Sequence, residues 1–438
     1  MLLKFIRNTI AASTMTALAL PAFAADNQPP IVFVHGDSDT AGLWMVQAWR
    51  LESNGYPRDH LYAVDIPHPS AQGDVNKAEP NRSSPKDAAT AVAKMVDKAL
   101  KETGAEKVVL VANSRGCQTS RNYVKNFGGA DKVAGMVLAG CVHNGVFVAP
   151  GYAEGSEYNG AGTFLKALNE APVIPEGQFV TIIRSDKYDL YSQPDGKFIG
   201  NAGNPTGANH NSPELEGADN KVLEGVDHRE TLYSPQAFKL VYEAITGKAP
   251  DTTEIKPEEA PVLSGKISGF ENDAPTNMPL KGAELSVFET DKATGKRAGD
   301  AVFTQTVGDD GRWGPFTAKP DQTYEFVVKA DGLPDYHIFR SPFPRSTDIA
   351  NIRLYPALEG EGTALGVMRP RGYFGPDDTM LANGKPFPGI DMDEPVPHVW
   401  KSRIPAAAGE TVVAEFNGET IAGVVPDKDA VGWIELTY

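Results

Sequence analysis

The stretch Val108-Val109-Leu110-Val111-Ala112-Asn113-Ser114-Arg115-Gly116 decides how the rest of this chain is read. Its first four residues are apolar and three are valine, the pattern of a strand buried on both faces. The sequence then runs without a spacer into a segment of helical character that reaches Phe127. A strand passing directly into a helix leaves room only for a sharp turn. The residues two before and two after its tip must be small, or their side chains strike neighbouring backbone; Ala112 and Gly116 meet that demand. Ser114 occupies the tip, where a hydroxyl stands clear of the main chain. A serine so presented is a candidate nucleophile. The pentapeptide alone is also compatible with an ordinary strand-to-helix turn, so its partners elsewhere must decide.

The chain has 438 residues, room for two or three domains, and its apolar content of 41% is that of a globular protein. A net charge of −16 argues against nucleic acid and against anionic membrane surfaces as partners. Residues 1–24 read as a signal peptide. Lys4 and Arg7 charge its start, Ile10 to Leu20 is a short apolar core, and Ala22-Phe23-Ala24 is a small-residue cleavage site. The core is too short to span a bilayer stably, so the reading predicts export, to the periplasm or beyond, rather than a retained anchor. Cys117 and Cys141 are the only cysteines. In an exported chain they are a candidate disulfide; the alternative is two buried thiols.

Strand-like and helix-like segments alternate through residue 249. Ile31 to Val34 is a buried strand ending in His35-Gly36, and Tyr62 to Ile66 is another strand. Residues 67–84 form a Pro-, Ser- and Asn-rich loop. Ser84-Pro85 opens a helix that Gly104 closes, with Ala88, Val92, Met95, Val96, Ala99 and Leu100 on one face. After the Ser114 helix, Val133 to Ala139 is the next strand. Residues 142–178 form a long irregular segment, read as a lid over a pocket or as ordinary core contacts under a loop. Phe179 to Arg184 is a strand leading into a loop with Asp186 and Asp189, and residues 195–220 are a long polar loop. Lys221 to Val226 reads as the last strand, followed by Asp227-His228 and a helix opened by Ser234-Pro235 and closed by Gly247. Asp37 and Asp39 have no further spaced ligands, so a cation there is the weaker reading, and neither a metal nor a cofactor is expected.

From Ala249 the composition changes. Pro250, Pro257 and Pro261 mark a linker over 250–261. Short alternating segments then follow at 262–267, 283–288, 323–328, 349–354, 411–416, 419–424 and 431–437, which predicts an all-β region. Residues 262–345 resemble a transthyretin-like β-sandwich module through Gly265-Lys266-Ile267, Lys281-Gly282-Ala283-Glu284-Leu285, Asp310-Gly311-Arg312-Trp313 and Tyr324-Glu325-Phe326. Residues 346–438 form a further β-rich module, either separate or part of one C-terminal domain with the preceding one. Tyr355, Tyr373, Phe374, Phe387 and Trp400 fall in its Gly/Pro-rich part and look exposed, as a grip on a lipid or polymer surface would be; the alternative is an interdomain core that stabilises the first domain.

Strand, small-x-Ser-x-Gly and helix together resemble the nucleophile elbow of the α/β-hydrolases, and the alternation up to residue 249 is similar to that fold, a mostly parallel sheet flanked by helices. The resemblance implies a nucleophile, an acid and a histidine in that chain order. Ser114 is the nucleophile, and His228, which follows a strand, is the base rather than a surface histidine. The acid is Asp189 or Asp186. The pattern Asp189-x-x-x-Gln193-Pro194 is similar to the acid loop of a yeast lipase, which favours Asp189 and leaves Asp186 as a solvated turn residue. The pair His35-Gly36 resembles the oxyanion loop of lipases, with His35 structural and the backbone N–H groups of Asp37 and Arg115 as the implied oxyanion donors.

The stretches IVFVHG at 31–36, NGYPRD at 54–59, DHRETLYSPQAF at 227–238 and YHIFRSPFPR at 336–345 extend the likeness to archaeal long-chain lipases with a C-terminal β-barrel domain. Those take their acid from the end of the strand after the nucleophile helix, where this chain has Leu138-Ala139-Gly140-Cys141 and no carboxylate. The expected function is that of an exported serine hydrolase, a lipase or esterase that cleaves carboxylic esters through an acyl-enzyme. An extracellular polyester depolymerase, an acyltransferase, and a noncatalytic binding protein on a hydrolase scaffold are the alternatives. Because Ser114, Asp189 and His228 all precede the linker, the catalytic domain at 25–249 is expected to be chemically complete without residues 262–438.

Overall fold

The structure, a computed structural model, describes residues 28–437. The signal-peptide reading of residues 1–24 lies outside them.

Alternation explains the first domain. Strands β1 (Ile31–Val34), β2 (Leu61–Ala63), β3 (Val108–Asn113), β4 (Val133–Ala139) and β5 (Phe179–Ser185), with the strand Asp219–Leu223, form one sheet in the order β2-β1-β3-β4-β5-Asp219–Leu223. Every pairing is parallel. Successive side chains leave opposite faces of a strand, so each strand feeds two cores. Val32, Val34, Leu110 and Ala112 meet helix α2 (Pro85–Thr103) on one face. Ile31, Phe33, Val109 and Val111 meet Phe238, Val241 and Ile245 of the helix Pro235–Thr246 on the other. Both faces are thus covered, as a parallel sheet requires. This is the α/β-hydrolase arrangement.

Local signals set the helix ends. Ser84 caps α2 in a reciprocal capping box with Asp87, and Gly104 ends it in the left-handed conformation. Two strands differ from their sequence expectation. β2 stops at Ala63 instead of Ile66, because the chain turns toward Pro67. The sixth strand lies at Asp219–Leu223 rather than 221–226, because Gly225 takes a positive φ of 71° and breaks the pairing. Segment 142–178 contains the short helix α4 (Thr163–Asn169) between long loops.

The C-terminal region is all β. A seven-stranded sheet runs in the order Phe303–Thr306, Glu284–Thr290, Thr323–Lys329, Tyr336–Arg340, Val431–Glu435, Ala364–Met368 and Lys401–Pro405. Strand Val431–Glu435 pairs in parallel with Tyr336–Arg340 on one side and Ala364–Met368 on the other. A three-stranded sheet joins Val262–Ser268 to Arg312–Thr317 and to Ile352–Arg353, the part of the expected 349–354 strand that pairs. Strands from both sides of residue 345 therefore share sheets, and the region folds as one interleaved unit.

That unit is not a separate bead. Helix α1 (Met45–Ser53) of the first domain sends Met45, Val46 and Trp49 into the same apolar core as Leu263, Trp313, Phe326 and Ile352. The Trp49 indole N–H donates to the Ser346 carbonyl at 2.9 Å, and its ring meets Phe343 edge-on. Phe374 and Phe387 are 2% and 3% exposed, packed with Phe416 in a second core, and Tyr373 is also buried. The expectation of an exposed aromatic patch is corrected on this point: these rings need the apolar interior, and the Gly/Pro-rich backbone only makes their segment look like surface in sequence.

Candidate active site

Ser114 sits between β3 and α3 (Arg115–Asn126) with φ 54° and ψ −126°, a backbone conformation that side-chain-bearing residues rarely adopt. The turn persists because its surroundings over-determine it. A Cβ on Gly116 would come 2.3 Å from the Val34 carbonyl oxygen, and one on Gly36 would come 2.9 Å from the Ser114 Cβ. Both glycines are thus required for β1, its following loop and the serine turn to touch. Cys117, in the first turn of α3, is bonded to Cys141 just beyond β4, which fastens the turn from behind.

His228 lies beyond the sixth strand. Its Nδ1 is 2.9 Å from both carboxylate oxygens of Asp189. Asp189 is buried, accepts a hydrogen bond from the Tyr191 N–H at 2.9 Å, and has its carbonyl held by the Gln193 amide at 2.8 Å. The Tyr191 ring stands edge-on to the imidazole at 4.6 Å, and the Thr231 hydroxyl donates to the His228 carbonyl at 2.7 Å. With Nδ1 facing a carboxylate, the imidazole is oriented so that Nε2 is its free acceptor. That Nε2 is buried and has no partner among the described residues, and His228 lines the same cavity as Ser114. Asp186, the other acid candidate, accepts from the Gly225 N–H at 3.3 Å and so ties the loop after β5 to the turn after the sixth strand; among the described residues it has no hydrogen bond to His228. Gly140, where the resembling lipases carry an acid, has φ 56°, and a Cβ there would meet the His228 carbonyl oxygen at 2.6 Å. No carboxylate fits that position while His228 occupies its present one.

The oxyanion candidates flank the serine. Among the described residues, neither the Asp37 nor the Arg115 N–H has an intramolecular acceptor. His35 is fully buried, which pushes its pKa below the ordinary histidine range. Its Nε2 accepts from the Ile66 N–H at 3.1 Å, so Nδ1 carries the proton and donates to the Gly36 carbonyl at 2.8 Å. A neutral imidazole thereby shapes the loop that bears Asp37.

The Arg115 side chain is buried and bidentate on Glu157, at 3.0 and 2.9 Å. It also donates to the Pro69 carbonyl and to Ser83. Breaking one partner of such a pair typically costs about 3–5 kcal/mol. The Tyr158 hydroxyl, beside Glu157, hydrogen-bonds the Asp37 carboxylate. Segment 142–162 is therefore a tied roof over the site, with Val146, Phe147 and Val148 facing the cavity.

The largest departure from the sequence reading concerns residues after the linker. The cavity, about 1260 Å³, is lined by Ser114 and His228 from the first domain and by Phe270, Tyr355, Tyr373 and Trp400 from the C-terminal unit. Arginines of that unit also hold the site's backbone. Arg353 donates to the carbonyls of Ser38 and Asp39, the latter at 2.7 Å, and Arg371 donates to those of Gly42 and Leu43. Arg369 pairs with Asp227 and Glu230, on either side of His228, and the Tyr373 N–H donates to Asp227 at 2.6 Å. Ser114, Asp189 and His228 all lie before the linker, as expected, but the loop after β1 and the loop around His228 are also held by arginines from residues 262–438, which the sequence reading did not foresee. Sequence reading missed these arginines because their partners are mostly carbonyls far away in the chain, which leave no local pattern.

Residues 28–155 match the class 2 lipase family, and residues 260–356 match the lipase C-terminal domain family. Among solved structures, the lipase BlEst2 of Bacillus licheniformis in its propeptide form is similar at 15% identity, over 92% of this chain and 95% of that one, with a TM-score of 0.37. Its mature form aligns at 19% identity over 50% of this chain and 93% of that one, with a TM-score of 0.38. Lipase B of Aspergillus fumigatus aligns at 16% identity over 52% of this chain and 55% of that one, with a TM-score of 0.37.

Proposed function

We propose, from the premise that this chain is an α/β-hydrolase lipase with a C-terminal domain, that it hydrolyses carboxylic esters with Ser114, His228 and Asp189 as nucleophile, base and orienting acid. The observation that carries this reading is the His228 ring: Nδ1 against the Asp189 carboxylate at 2.9 Å, Nε2 unpartnered, on a residue that lines the same cavity as Ser114. The Ser114 hydroxyl attacks the ester carbonyl while His228 Nε2 takes its proton. The Asp37 and Arg115 N–H groups hold the oxyanion; removal of one such donor costs about 3 kcal/mol in comparable sites. His228 returns the proton to the leaving alcohol. Water, deprotonated by the same nitrogen, then attacks the acyl-enzyme; the bond to the Ser114 oxygen breaks, His228 returns the proton to that oxygen, and the acid leaves.

The C-terminal unit contributes a wall rather than a surface grip on this reading. Tyr355, Tyr373, Trp400 and Phe270 line the cavity, and such rings suit an acyl chain. Export by cleavage after Ala24 belongs to the same proposal. An activity-based fluorophosphonate label tests it. The label should attach once, at Ser114, and folded Ser114→Ala should neither label nor turn over esters. Stoichiometric labelling of that variant would sink the assignment.

A further inference from the structure

Apart from the Arg353 Nε, which has no partner among the described residues, the cavity's charged groups are satisfied within the protein with one exception. Asp39 pairs with Arg229 at 3.0 Å, and Glu79 with Arg82 at the rim. Asp37 accepts from the Ser38 hydroxyl, the Ala71 N–H and the Tyr158 hydroxyl. Arg353 donates to two carbonyls and to Asn277. Lys401 lines the same cavity, yet its ammonium has no carboxylate or carbonyl partner among the described residues. It rests instead on aromatic faces, 4.3 Å from the Trp400 ring centroid, 5.4 Å from Tyr355 and 6.0 Å from Trp433.

Rings stabilise a cation without supplying a counter-charge. They also fix where it points, since its stem starts a strand, Lys401–Pro405, at the edge of the seven-stranded sheet. Burial, and then the like charge of Arg229, lower the affinity of this amine for its proton. A half-buried ammonium beside a second cation, with no anion of its own, is short of one negative charge. Lys401 lines the cavity, so an anion bound there can supply it.

We propose that Lys401 forms an anion subsite in the substrate cavity, taking a carboxylate or phosphate carried by the ester at a distance from the scissile bond. This deepens, and rests on, the ester-hydrolase reading of the same cavity. The charge can sit on either half of the ester: an acyl chain ending in a second carboxylate, or an alcohol bearing a phosphate. The recognition is the same hydrogen-bonded ion pair in both.

Two matched pairs of esters on the full-length protein test it: nitrophenyl octanoate against nitrophenyl hydrogen suberate, and a monoacylglycerol against the corresponding acylglycerol phosphate. For at least one pair, Lys401→Met should lower the anionic-to-neutral ratio of kcat/KM by about tenfold, the order expected for a hydrogen bond to a charged group. Lys401→Arg should keep most of the wild-type ratio, each ratio being taken within one variant so that a change in overall turnover cancels. The pair whose ratio moves tells which half of the ester bears the anion. If wild type and Lys401→Met turn over neutral esters with both ratios unmoved, the subsite is overturned and the hydrolase reading survives. If wild type turns over none of the four, the hydrolase reading fails and the subsite with it.

Discussion

Asp189 and Asp186 share one loop, and the structure gives them different work. Asp189 is buried against the His228 ring, whereas Asp186 accepts from a backbone N–H and ties two loops together. Asp189→Asn keeps the volume but presents an amide to Nδ1, which favours the wrong imidazole tautomer. In the best-studied triad that change costs about 10⁴-fold in kcat. Turnover by Asp189→Asn should fall by that order, while Asp186→Asn should stay near wild type. The reverse ranking in steady-state kinetics would move the acid to Asp186. At this scale much was legible in sequence. Ser114 is marked by the small residues its turn demands, and His228 by its place after the last strand. The acid was narrowed to two because a loop carboxylate has no periodic signature. The Arg115–Glu157 pair was invisible, since nothing local links the two residues.

At the scale of elements, the two loops that flank the serine are each held from both domains. His35 shapes the first loop from within its own domain, and Arg353 pulls its carbonyls from the other. The pattern of hydrophobic residues predicts strands and helices well, because burial on one face or two leaves a period in the sequence. Carbonyl clamps leave none, which is why the arginines that reach the site from the C-terminal unit could not be read from the sequence. Arg353→Met should preserve the fold's apolar contacts while releasing the Ser38 and Asp39 carbonyls. A displacement of the Asp37 N–H by an ångström is enough to cost on the order of 10²-fold in rate. Loss of kcat should be equal on short and long acyl esters, with KM little changed. A loss confined to long-chain esters would instead assign Arg353 to chain binding.

The whole molecule is fastened along a seam that runs under the linker. Glu258 pairs with Arg58 of the first domain and with Arg345 of the second, and it accepts from the Ser346 N–H at 2.9 Å. Burial alone would raise its pKa, but the hydrogen bonds from Ser346 and Arg58 prevail and hold it down to about 2. An unfolded glutamate titrates near about 4.3. With the folded value the lower of the two, the contribution to stability is fully present above about pH 4.3 and is lost as pH falls through that window toward 2. Melting temperatures of wild type and Glu258→Gln should therefore differ at pH 6, and the gap should shrink below about pH 4.3 and close only as pH reaches about 2. A gap that stays constant across the window would mean that Glu258 does not fasten the seam by its charge.

The place of strand Val431–Glu435 has a consequence in time. It lies inside the seven-stranded sheet, between Tyr336–Arg340 and Ala364–Met368, and contacts both in parallel register. The sheet is therefore two fragments with a gap until residue 435 leaves the ribosome. The core that takes in Trp49 near the start of the chain includes Trp433 near its end. Closure waits on contacts nearly four hundred residues apart, the kind that form slowly and late. The seven-stranded sheet, and the core it shares with Trp49, is closed only once strand Val431–Glu435 has joined it.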